Sequence, residues 1–211
     1  WSTPTRSRWD GHSRGGAVST SDPGRDEARV ALADETAADA ASFVAAVESV
    51  AAGANPSAAV SVLILALSGL LSAGAKLGAQ EDIAPAGGEP EDGMARAASL
   101  GGGSSTGELR TALAEQFGGV DQYWETIDPY LGQEVASARL SEDLSGIAGD
   151  LLQGLALYSQ DRYEDALAWW QYSYLAQWGP AASACLRAVQ SLIAMVRLGT
   201  PMGSPGEDLP G

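Results

Sequence analysis

One cysteine, one histidine and, at Lys76, one lysine are all that 211 residues supply of these types. Cys185 alone forms no intrachain disulfide, and His12 alone makes no histidine cluster. Zinc fingers, di-histidine metallohydrolases and Ser-His-Asp hydrolases are therefore excluded on supply. Basic side chains are scarce as well: 12 Lys plus Arg stand against 27 Asp plus Glu, a formal charge of -15. Double-stranded nucleic acid is a poor partner for such a chain. Ser104 and Ser105 follow a run of glycines, but the lysine of a phosphate-cradling loop is missing. No interval alternates apolar and polar residues with a period of two, so a sheet has little support. What is present is 45% apolar residues with only 18% charged ones, the composition of a folded chain rather than a disordered one.

The length favours one domain with tails. Residues 1–32 are rich in Ser, Gly, Arg and Pro without hydrophobic period, and read as an N-terminal tail. Residues 199–211 read as a C-terminal tail, and 33–198 as a single helical domain. Inside it, a Gly/Pro-rich acidic stretch over 78–106 breaks the pattern. Its carboxylates lack the spacing of a calcium loop, which leaves a solvated linker.

Hydrophobic recurrence at three and four residues predicts the helices. Asp34–Val50 carries Ala37, Ala41, Val44 and Val47, with Gly53 as a stop. Ala58–Ala75 has no charge and just reaches the length needed to cross a bilayer, but Ser61, Ser68, Gly69, Ser72 and Gly74 dilute it. It is expected to be a central buried helix, with membrane attachment as an alternative. Further helices are predicted from Thr106 to Phe117, from Ser141 to Tyr158, from Tyr163 to Gln177 and from Ala181 to Leu198. Shorter helical or turn elements are expected over 120–127 and 131–140, separated by a break at Asp128-Pro129. Asp161 is the expected cap of the Tyr163 helix, and Gly179-Pro180 its end. The fold class is all-α, a compact bundle of about six or seven helices.

Gly154 to Tyr158, then Tyr163, Ala166 and Trp170, has the contact grammar of a tetratricopeptide-like helix hairpin at the C-terminal end. Small residues let two backbones approach while aromatics fill the wedge. A single hairpin is not a repeat array, which needs at least about three units. Trp169, Trp170, Tyr172, Tyr174 and Trp178 exceed one helical stripe, since Tyr172 points nearly opposite Trp170. Either another element covers the second face or Trp169 and Tyr172 contribute to a partner or ligand surface. Asp143 and Asp150 share a helix face, and Glu164 and Asp165 open the next helix, where the helix dipole welcomes carboxylates. These four are also the candidate ligands of a divalent ion if the hairpin gathers them. Arg187 and Arg197 are expected to bridge to nearby carboxylates, and Cys185 to be a small buried hydrophobe.

The residues Asp128-Pro129-Tyr130, Leu140-Ser141-Glu142-Asp143-Leu144, the run Ala166 to Gly179 and Ala184-Cys185-Leu186-Arg187-Ala188 resemble a bacterial family catalogued as domain of unknown function 5063. The resemblance spans roughly residues 35–198 and implies a small, all-helical, cytoplasmic, actinobacterial protein. It transfers no substrate, cofactor or catalytic residue. Gln177 stands where members often carry His before the Trp-Gly pair. The expected function is a protein-interaction or scaffold module using an acidic and aromatic surface, with Trp169, Tyr172, Trp178 and Arg187 as contact residues, no cofactor, and a protein partner or second copy. The enzyme alternative is a metal-dependent hydrolase using Asp143, Asp150, Glu164 and Asp165.

Overall fold

The computed structural model describes residues 23–86, 103–126, 130 and 134–199. Helix α1 (Pro23–Ala51) starts on a proline, whose fixed φ suits a first helical turn. Helix therefore begins well inside the segment read as tail. Ala33, Ala37, Ala40, Phe43, Val47 and Val50 form its buried stripe, while Ala41, expected in that stripe, is exposed. Gly53, at φ 64°, ends the turn, and α2 (Ala59–Gly78) folds back. Lys76 near the end of α2 pairs with Glu35 in the first half of α1, sixteen residues before that helix ends, as an antiparallel pair requires.

Beyond α2, Ile83 is buried against the body of the protein. The rest of the acidic Gly/Pro stretch, 87–102, lies outside the described residues. Helix α3 (Gly103–Phe117) follows and plants Leu113 in the core, and a single 3-10 turn over Gly118–Val120 leads into β1 (Gln122–Thr126). This strand pairs antiparallel with β2 (Val135–Arg139) in the register Gln122 to Arg139 through Thr126 to Val135. The hairpin corrects the purely all-α expectation and replaces the two short helical elements foreseen there. Its inward positions are Tyr123, Glu125, Ala136 and Ala138, all half-buried. Small and polar residues on the covered face hide the period-two signal that a Val- or Ile-rich strand would show. The predicted break at Asp128-Pro129 falls outside the described residues.

Helix α4 (Leu140–Tyr158) is the most enclosed element, burying Leu140, Leu144, Ile147, Ala148, Leu151 and Leu157 among others. It packs against α1, α3 and the helices that follow. The central helix is thus α4, not α2 with its uncharged run up to Ala75. Helix α2 buries one face through Leu63, Leu67, Leu70 and Leu77, and leaves Leu65 74% exposed.

A tight turn joins α4 to α5 (Tyr163–Ser173). Asp161 is not the cap there; it takes the left-handed conformation, φ 59°, and accepts the Tyr163 hydroxyl at 2.8 Å. The hairpin packs as its grammar foresaw: Gly154 lies under the Trp170 indole, where a methyl group would collide with the ring. Tyr158 and Tyr163 meet edge to face at 5.3 Å.

Helix α5 does not stop at Gly179-Pro180. It passes through one π turn (Tyr174–Trp178) into α6 (Gly179–Leu198), giving a continuous rod of 36 residues. Pro180 lacks the N–H that an unbroken α-helix would need there. The π turn takes up the disruption, with the Gly179 N–H bonding back to the Tyr174 carbonyl. A side chain at Gly179 would strike that carbonyl. Counting the rod once, the described residues hold five helices rather than six or seven. Gly199, at φ 64°, terminates α6.

Candidate interaction groove

The aromatic surplus of α5 is mostly spent inside. The Trp169 indole donates to the Asp150 carbonyl at 2.8 Å, and Trp170 to the Leu151 carbonyl at 3.3 Å. Trp178 donates to Ser173 Oγ at 3.1 Å. These three side chains are 6%, 0% and 1% exposed. Trp169 and Trp178 are therefore core residues, which corrects their reading as partner contacts. The second face of α5 is covered by α4 through Trp169 and by the end of α2 through Gln171. Gln171 is buried, accepts the Ile83 N–H at 2.8 Å and donates to the Leu77 carbonyl at 3.0 Å. Nothing in its spacing distinguished it from a surface glutamine. Tyr172 alone keeps 42% exposure, its ring 6.3 Å from that of Trp169.

The candidate metal ligands are not brought together. Asp143 accepts the Tyr123 hydroxyl at 2.7 Å, below the β-hairpin. Asp150 lies two turns further along α4, where the Gln177 amide, oriented with its nitrogen toward the carboxylate, donates to it at 3.2 Å. Glu164 pairs with Arg29 at 2.7 Å, and Asp165 with Arg162 at 2.7 Å. Among the described residues no group of three metal-ligating side chains converges. The hydrolase alternative loses its geometric basis with that arrangement.

The hairpin is tied to α4 by a buried carboxylate. Asp121, 3% exposed, accepts the Ser141 N–H at 2.8 Å and the Ser141 hydroxyl at 2.9 Å. It thereby caps a helix whose own N-cap residue, Arg139, offers no side-chain bond. Desolvation raises the Asp143 carboxyl above its usual range, against the opposing Tyr123 hydrogen bond. Glu125 is raised too, by burial and then by Asp143. Burial pushes the Cys185 thiol up, and the side chain is fully enclosed, as expected of a core hydrophobe.

Between β1 and α6 runs an open groove of about 610 Å³. All five residues of β1 line it, with Arg187 on the α6 wall and Val135 at one end. Trp124 is 69% exposed here and Val135 52%. Arg187 is exposed, and its guanidinium has no ion pair or hydrogen bond among the described residues. The carboxylate partner expected for it is absent from that wall, and Arg197 likewise has none among the described residues. Sequence reasoning found Arg187 but not Trp124. A lone Trp beside Tyr123 looked like core material, and only the hairpin turns neighbouring side chains to opposite faces.

These features define a small helical domain with one β-hairpin docked on its central helix and a groove between hairpin and last helix. The sequence profile of the domain of unknown function DUF5063 matches residues 29–195, and the chain belongs to that family. A similar fold occurs in the crystal structure of protein BF1032 from Bacteroides fragilis, with a TM-score of 0.57 and 19% identity, covering 83% of this chain and 94% of that one. No curated protein matches this chain.

Proposed function

We propose that this domain is a protein-interaction module whose contact surface is the groove between β1 and α6. One observation carries the reading: a groove that exposes Trp124 also holds an Arg187 with no ion pair among the described residues, in a chain with more than twice as many acidic as basic residues. An exposed Trp and an exposed Arg in one groove are the residue types enriched at binding hot spots. Of the residues first assigned to an interaction, Arg187 and Tyr172 retain the exposure such a role requires. A cytoplasmic location belongs to the same reading, supported by the outward face of α2, where Ser68, Gly69, Ser72 and Lys76 meet solvent.

A photo-crosslinking residue placed at Trp124 tests the proposal against the same residue placed at Ser72. The expected result is a discrete adduct with another protein from position 124 and none from 72. Equal labelling from both positions, or none from 124, overturns it.

A further inference from the structure

Resting on that reading, we infer that the groove takes an extended peptide segment, added as a third strand on the free edge of β1 and bringing one carboxylate to Arg187. The first support is the hydrogen-bonding phase of the hairpin. The Leu140 N–H bonds the Asp121 carbonyl at 2.9 Å, in line with the register of the two strands. Antiparallel pairs alternate between bonded and non-bonded positions. Tyr123 and Glu125 therefore bond inward to β2, and the N–H and C=O of Gln122, Trp124 and Thr126 turn outward. These outward groups have no partner among the described residues. The edge they form faces the groove, because every residue of β1 lines it and only Val135 of β2 does.

The opposite wall fits the same occupant. Ser183, Arg187, Ser191 and Met195 recur along one face of α6, with Ala184 and Ala188 beside them. Small side chains leave room for a backbone. Five strand residues span about 17 Å and the stripe on α6 about 18 Å, so both walls match an extended segment of about five residues. An unpaired strand edge supplies main-chain affinity in strand addition, and side-chain pockets supply selectivity. The groove lining carries two charges, Glu125 and Arg187. Glu125 belongs to the half-buried face beside Asp143, which leaves Arg187 as the charge presented to an incoming chain. A carboxylate complements it. A second copy of the chain is disfavoured as occupant, because each copy carries a formal charge of -15.

The test is selection of a displayed library of random dodecapeptides on the whole chain, followed by binding of the selected peptide to the wild type and to Arg187→Glu. The expected consensus alternates apolar residues around one Asp or Glu. Arg187→Glu, confirmed as folded by circular dichroism, should weaken that peptide about tenfold. Bound peptide should slow amide exchange at Gln122, Trp124 and Thr126, and N-methylation of the peptide at alternate residues should abolish binding. A consensus with helical spacing, a basic consensus, or no protection of those amides overturns the inference. So does a peptide-free dimer in sedimentation that protects the same amides. A position-124 adduct that persists beside any of these results leaves the interaction reading standing; loss of both the adduct and peptide binding removes both.

Discussion

Asp150 shows how much one side chain's setting decides. Its carboxyl is half-buried on α4, and desolvation raises it to about 6. The folded chain then holds this proton more tightly than the unfolded chain does. The resulting stabilisation is complete below about pH 4, the ordinary Asp range, and is lost as pH rises through about 6. Asp150→Asn keeps the backbone carbonyl that receives the Trp169 indole and removes the desolvated charge. It should stabilise the protein at pH 7 on the order of 1 kcal/mol, after allowance for solvent screening, and flatten the pH slope between about 4 and 6. Urea unfolding across that range measures both, and a variant less stable than wild type at pH 7 refutes the assignment. That Asp143 and Asp150 share a face was legible from their spacing of seven. That the Trp169 indole would end on the Asp150 carbonyl was not, because an indole N–H finds its partner only when two helices meet.

Among the elements, the β-hairpin and α4 depend on each other through Asp121. Replacing it with alanine leaves the Ser141 N–H and hydroxyl buried without their acceptor. Asp121→Ala should cost about 2 kcal/mol in denaturant unfolding and speed amide exchange in β1 and β2 more than in α1. Equal acceleration everywhere would show that the carboxylate serves global stability and not the docking of the hairpin. The α4–α5 pair was readable in advance because Gly154, Ala166 and the large aromatics stand at helical intervals. The hairpin was not, because its inward face is built from Ala136, Ala138, Tyr123 and Glu125. The continuous run from α5 into α6 was also hidden, since Gly-Pro is ordinarily a stop and only the π turn absorbs it here.

For the molecule as a whole, the informative contrast is between composition and placement. Helix α2 has a mean hydropathy of 1.9, enough by length and composition for a bilayer span, and the rod from Tyr163 to Leu198 passes the same test at 1.3. In the fold, α2 turns its leucines toward α1 and α6, and its outer face is Ser, Gly and Lys with Leu65 as the large apolar exception. Leu65→Ser should therefore change stability by less than about 0.5 kcal/mol, and both forms should stay in the aqueous phase of a detergent partition. Wild type in the detergent phase, with the variant shifted out of it, would place that face against lipid. The π turn has a molecular consequence of its own. Because each residue advances a helix by about 100°, the single extra residue in that turn sets the angle between the faces of α5 and α6. Placing Cys185 inside and Arg187 on the groove wall therefore depends on the residue that this turn absorbs. At this joint the count of residues aims the last helix together with two identities, the buried Trp178 and the side-chain-free Gly179.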